Sequence, residues 1–248
     1  MSWYQTKRRL LRPVTAIRRR HRSPKVDPFT RAVYEAHDYR PSMRRFFLAS
    51  AQQPDLLIDV DLPAAAVVLD VGAFTGEWSG RLLECADARG PADLRIHAFE
   101  PVGVSVRELE QALADEPRVE IHPFGLAGRD RVESMAVDGP GSSVFPAAGA
   151  PGALGTVEVP LRDVDAVLRS LDIERIALVK VNIEGGEYEL FDRLHEMGWL
   201  ARCGPVIVQF HEFAPHAHRA RRRTRTQLAQ THRCTWGYPW VYERWDPR

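Results

Sequence analysis

From about residue 67 onward, short apolar runs alternate with stretches in which apolar residues recur every third or fourth position. Val67–Val71 is apolar and β-branched, Gly72–Gly76 follows at once, and Trp78, Leu82 and Leu83 then fall at helical spacing. That pattern predicts a strand, a tight turn and a helix. Leu94–Phe99 predicts a second strand, running into Glu100-Pro101, with a helix over Val102–Asp115 marked by Val106, Leu109 and Leu113. Val119–Pro123 reads as a short third strand. Val157–Pro160 and a helix over Asp163–Leu171 come later, with Asp163 as the N-cap, because its side chain can accept from an orphan N–H of the first turn. Ile176–Ile183 predicts a fourth core strand backed by a helix over Glu187–Met197, and Val206–Phe213 a fifth. An Arg-rich helix over residues 219–232 and an aromatic strand pair over Thr235–Trp245 close the chain. Arg131–Gly155, rich in Gly, Pro, Ala and Ser, reads as an irregular loop or small hairpin.

Strands and helices alternating at this rhythm imply an α/β fold, with a doubly wound, mostly parallel sheet and helices on both faces. Three segments follow: a basic N-terminal arm at 1–25, a helical lead-in at 26–66 suggested by aromatics such as Phe29, Tyr34, Phe46 and Phe47, and the α/β domain at 67–248. With 44% hydrophobic and 27% charged residues, the chain has the composition of a globular protein, which excludes collagen-like and wholly disordered classes. Its net charge of +1 conceals an asymmetry. Nine of the 34 basic residues lie in the first 25 positions, and the remaining 25 face all 33 acids, so residues 26–248 carry a net −8. Three cysteines without CxxC spacing, Cys85, Cys203 and Cys234, argue against a disulfide framework or a zinc site and suit a reducing, cytoplasmic setting.

Open α/β sheets bind ligands in the crevice beyond the carboxyl ends of their strands. The residues there are Asp70 to Gly76, Glu100, Asn182 to Glu184, and His211-Glu212. The glycines are spaced G-x-x-x-G and lack the third glycine of a dinucleotide fold. A carboxylate at Asp70 would repel a pyrophosphate and attract a cation. S-adenosylmethionine, with a sulfonium, an ammonium and no phosphate, therefore suits this turn better than NAD. Glu100, at the second strand end, is placed for the ribose hydroxyls.

Several segments together resemble the FkbM-type S-adenosylmethionine-dependent methyltransferases. They are Leu69 to Ser79, His97-Ala98-Phe99-Glu100-Pro101, Val179 to Tyr188, and Val208 to Phe213, in the family's order. The resemblance implies a class I methyltransferase (Rossmann-like) sheet of seven strands. It also implies methyl transfer to an oxygen of a sugar, polyketide or other natural-product or glycan acceptor. Asp70, Gly72, Gly76 and Glu100 take cofactor roles by this likeness, and Ala73, Phe74 and Asn182 complete the expected cofactor wall. Asn182 stands where the family often has Asp, which removes a charge from the fourth strand end.

Methyl transfer from a sulfonium is an in-line displacement, so positioning supplies much of the catalysis, and a hydroxyl acceptor also needs a general base. His211 is the expected base, because a histidine of ordinary pKa, about 6.5, accepts a proton at neutral pH. Glu184 is the second candidate. Lys180, Asn182 and Glu184 are expected on one strand face, with Lys180 either at the site or paired with an acid such as Glu184. Glu187 is read as an acid favouring its helix start. No metal is expected: His211 to His216 miss the H-E-x-x-H spacing, although His211, His216 and His218 could converge. Ser142, Ser143 and Phe145 read as loop or pocket-lining residues. Alternatives are RNA methylation through the basic arm and the Arg-rich helix, a non-catalytic cofactor-binding protein, and an NAD oxidoreductase. The arm also suits a peripheral contact with anionic lipid or a protein partner.

Overall fold

In the computed structural model, residues 39–89, 93–136, 156–212 and 216–248 are described. The basic arm at 1–25 and Ser142, Ser143 and Phe145 lie outside them.

Helix α1 (Arg40–Gln52) leads into strand β1 (Ala66–Val71), helix α2 (Glu77–Ala88), strand β2 (Leu94–Phe99), helix α3 (Gly103–Ala112) and strand β3 (Val119–His122). Three short strands follow, β4 (Gly125–Ala127), β5 (Arg131–Ala136) and β6 (Thr156–Asp163), then helix α4 (Val164–Ser170). The second half comprises β7 (Leu178–Val181), α5 (Glu187–Glu196), β8 (Val206–Val208), α6 (Ala217–Leu228), β9 (His232–Tyr238) and β10 (Tyr242–Pro247). Seven strands form one sheet in the order β3-β2-β1-β7-β8-β10-β9. β10 is antiparallel to both of its neighbours, and the pairings from β3 to β8 are parallel. β4, β6 and β5 make a separate three-stranded sheet.

Side chains alternate across the sheet and so build two cores. Leu69, Val71, Phe99, Val179, Val181 and Val208 pack on one side against Leu168 of α4 and Leu190, Phe191 and Leu194 of α5. Val68, Ile96, Leu178 and Ile207 pack on the other against Leu82 and Leu83 of α2. Asp70 shares the second face with Val68, and its register partner on β7 is Lys180. Pro41 lies in the first turn of α1, where its missing N–H costs no hydrogen bond. Phe46 of α1 meets Tyr238 and Tyr242 at ring-centroid distances of 5.5 and 5.6 Å, tying the lead-in to the β9–β10 hairpin. Such aromatic pairs contribute about 0.5–1.5 kcal/mol each beyond buried area.

Asp163 caps α4 as expected, its Oδ1 accepting from Ala166 N–H at 3.1 Å. Residues 131–136, expected in an irregular loop or small hairpin, form a strand antiparallel to β6, in line with the hairpin alternative. Two expectations change. The strand expected over Val206–Phe213 ends at Val208, and residues beyond Gln209 turn into a loop. α6 stops at Leu228, since His232 already pairs with Pro247.

Candidate active site

The turn after β1 is shaped by one position. Gly72 has φ +81°, and a Cβ there would sit 2.0 Å from the carbonyl oxygen of Asn182. Only glycine combines that conformation with so close an approach to β7. Gly76, also left-handed, leads into α2, where a Cβ would press on Leu109 at 2.7 Å. Beneath the turn, Lys180 Nζ donates to Asp70 Oδ1 at 2.8 Å and to the Gly72 carbonyl at 2.7 Å. Ser79 of α2 donates to Asp70 Oδ2 at 2.7 Å. Asp70 is fully buried and Lys180 is 5% exposed. The pair is thus a cross-strand brace that holds the turn from below.

Above it opens a cleft bounded by the ends of β1, β2 and β7 and by the small sheet. It brings Gly72, Phe74, Glu100, Asn182 and Glu184 together. Asp70, Ala73, Gly76, Lys180 and His211 do not face it. Ala73 packs against Ala98 and Leu109. The expectation that Asp70 meets a cationic ligand directly is therefore corrected, because its carboxylate is spent on Lys180 and Ser79. Lys180 pairs with Asp70, not with Glu184, and is a positioning residue.

Glu100 accepts main-chain N–H bonds on both oxygens, from Phe74 at 3.0 Å and Val102 at 2.9 Å. Burial outweighs these bonds and pushes its pKa above the ordinary carboxylate value. Asn182 Nδ2 donates to the Tyr242 hydroxyl at 3.4 Å, while its Oδ1 is buried with no partner among the described residues. An orphaned acceptor next to a buried carboxylate fits a ligand carrying hydroxyl and ammonium donors, as the cofactor expected from the sequence does.

Glu184 and Phe74, both on the cleft wall, adopt positive φ of 49° and 52°. Non-glycine residues in this region cost of order 1–3 kcal/mol and cluster at functional sites. Behind Glu184 lies His211, whose Nε2 is 3.5 Å from Glu184 Oε1 and whose Nδ1 is 3.4 Å from Glu187. Burial alone would lower the imidazole pKa, but the two carboxylates outweigh it and hold the ring well above its ordinary value. His211 thus lies between two carboxylates and off the cleft wall, so it does not itself reach into the cleft as the expected base would. Glu187 stands in the first turn of α5, as expected of an acid that favours a helix start, and also bonds beyond the helix. Fully buried, it accepts from the N–H groups of Gly185 at 2.8 Å and His211 at 2.7 Å, and so joins the β7 turn to the β8 loop.

The far wall of the cleft was not anticipated. There Arg131 of β5 makes a bidentate pair with Glu189 of α5 at 2.8 and 2.9 Å, and Gly128 N–H donates to the same carboxylate at 3.1 Å. Polarity does not alternate along Arg131 to Ala136, so no local period marked this wall, and a glycine-rich stretch follows it. Among the described residues, the three histidines weighed as metal ligands form no convergent group, and His218 packs edge-on against Trp240 at 4.6 Å.

A model of the methyltransferase FkbM domain matches residues 70–230. Among curated proteins, the AMB antimetabolite synthetase AmbE of Pseudomonas aeruginosa is 27% identical, the match covering 69% of this chain and 10% of that protein. The chain thus spans about a tenth of the length of the curated relative it matches. Among solved structures, fibrillarin from Aeropyrum pernix with natively bound S-adenosyl-L-methionine has a TM-score of 0.46 at 12% identity, covering 80% of this chain and 73% of that one. A rRNA methylase from Streptococcus thermophilus has a TM-score of 0.44 at 12% identity, covering 79% and 94%.

Proposed function

The chain belongs to the FkbM methyltransferase family, whose cofactor is S-adenosylmethionine, and on that premise we propose that it methylates a hydroxyl oxygen of a sugar, polyketide or similar natural-product or glycan skeleton. The bound cofactor supplies an electrophilic methyl group. Glu100 accepts from the ribose hydroxyls, the orphaned Asn182 Oδ1 takes a further donor, and the braced Gly72 turn lets the backbone approach closely. Glu184 faces the same cleft and accepts the hydroxyl proton as the oxygen is methylated. His211, behind it, fixes the carboxylate's orientation. Holding acceptor and methyl in line supplies the larger part of the rate.

The observation that carries this reading is the placement of Glu184 on the wall of the same cleft as Glu100, backed by the ring of His211, which Glu187 flanks on its other side. RNA as acceptor draws less support. Three of the five arginines of α6 are engaged internally: Arg221 and Arg225 both pair with the buried Glu243, and Arg223 pairs with Asp192. We assign the protein to the cytoplasm on account of its free thiols. Residues 1–25 are proposed to contact anionic lipid or a partner, apart from the chemistry. Among the described residues, no helix is long and apolar enough to cross a membrane.

The test is methyl incorporation from labelled cofactor into a panel of hydroxylated glycosides, polyketides and RNA, for the native chain and Glu184→Gln. The reading expects labelled ether products, a kcat loss of roughly 10²–10⁴-fold in the variant and an unchanged cofactor Kd. Label in RNA alone, or a variant with native kcat, overturns it.

A further inference from the structure

Two buried histidines and one acid meet at the opposite end of the sheet from β9, and nothing in the methyl-transfer reading uses them. Register pairs His97 of β2 with Glu120 of β3, and Phe99 with His122, so all four side chains stand on one face. His97 Nδ1 lies 3.0 Å from His122 Nε2. Glu120 offers one oxygen 3.6 Å from His97 Nδ1 and the other 3.8 Å from His122 Nε2. Among the described residues this is the group of three or more such side chains whose ligand atoms converge, all within 4.8 Å of one another.

Metal–ligand bonds of about 2.0–2.1 Å in tetrahedral geometry place ligand atoms about 3.3 Å apart. The three observed separations bracket that value. His97 and His122 are 3% and 8% exposed, and the rings of Phe99 and Phe124 flank His122 at 4.5 and 5.5 Å. Glu120 stands at the rim, 47% exposed, leaving one side open for water to complete the coordination.

We propose that His97, Glu120 and His122 form a divalent-cation site, zinc by its two-imidazole, one-carboxylate donor set, that clamps edge strand β3 to β2. The site lies one aromatic ring from the cleft, because Phe99 stacks on His122 and also lines the pocket. A metal there stiffens the strand end that carries Glu100. The role is structural, and it stands whether or not the methyl acceptor is a hydroxyl.

The test strips the full chain with a chelator and titrates zinc chloride against a chromogenic indicator, recording thermal melting in parallel. The native chain is expected to bind about one equivalent at this site and to melt higher with zinc. Glu120→Gln, on an exposed side chain, and His122→Phe, which keeps the aromatic stack, each remove one ligand. Zinc affinity should fall by roughly tenfold or more in each, at least the loss seen when an outer-shell partner of a ligand is removed. Cobalt(II) in place of zinc should give d–d bands without thiolate charge transfer, separating this site from the three cysteines. No zinc uptake by the native chain, uptake undiminished in both variants, or a thiolate spectrum overturns the proposal.

Discussion

Lys180→Met removes the ammonium that braces the cofactor turn while keeping the length of the side chain. In the folded protein, Asp70 then retains Ser79 as a donor but stays at zero exposure with no counter-charge. Breaking a buried ion pair from one side costs about 3–5 kcal/mol, because the remaining charge is left uncompensated. That is a large share of the roughly 5–15 kcal/mol that keeps a domain folded. Asp70→Asn should cost a similar amount through the stranded ammonium. The double variant should cost less than the sum of the two, since neither charge remains. Urea unfolding of all four proteins closes the cycle, with m-values compared to confirm a common unfolded state. Cofactor titration of the double variant adds a functional readout: the Gly72 carbonyl has lost its 2.7 Å donor, so affinity stays below that of the native chain even where stability recovers. The reasoning is refuted if Lys180→Met costs less than about 1 kcal/mol, or if the two single costs add within about 0.5 kcal/mol.

Gly72→Ala should abolish cofactor binding by calorimetry and lower stability by more than the roughly 1–2 kcal/mol of a left-handed alanine, because its Cβ also meets the Asn182 carbonyl at 2.0 Å. Native affinity in that variant would show that the turn can shift freely. Glu100→Gln keeps the side chain's shape but leaves one acceptor oxygen for two donors, so one of the bonds from Phe74 and Val102 N–H, each worth about 1.5–3 kcal/mol to a charged acceptor, is lost and the other weakened. A cofactor Kd within twofold of native would remove Glu100 from the binding site. His211, its pKa raised in the folded state, contributes stability that is fully present below its unfolded value of about 6.5 and is lost as pH rises through the folded value. Melting temperature should therefore decline on the alkaline side, and His211→Gln should flatten that decline; a parallel decline in both proteins counts against the imidazolium.

The sheet was legible because each core strand carries its own apolar run and each strand end its own glycine or acid. Val67–Val71 with Gly72, Leu94–Phe99 with Glu100, and Ile176–Ile183 with Glu184 were each local signals, and the structure places all three ends at one cleft. The site's inner layer was not legible. Asp70 with Lys180, and His211 with Glu187, are separated by 110 and 24 positions, and no periodicity announces which acid a buried cation will choose. His211 illustrates the difficulty: its ordinary pKa suggested a base, and only the structure shows the two carboxylates that flank it and raise that pKa. The small sheet escaped notice for a related reason. β4 is three residues long and β5 depends on a partner beyond a long glycine-rich stretch, so neither segment signals its pairing alone.

The brace beneath the turn also bears on the order in which the protein can mature during synthesis. A nascent chain that has emerged only through β6 holds β1, its glycine turn and Glu100, but neither Lys180 nor the Asn182 carbonyl that Gly72 packs against. Those arrive with β7, more than a hundred residues after the turn they support, and Glu187 and His211 arrive later still. Affinity for the cofactor is thus a late acquisition that waits on a long-range contact, the kind of pairing that slows folding. Until then the ribosome carries a half-sheet with an exposed central strand, a species for chaperones to shield.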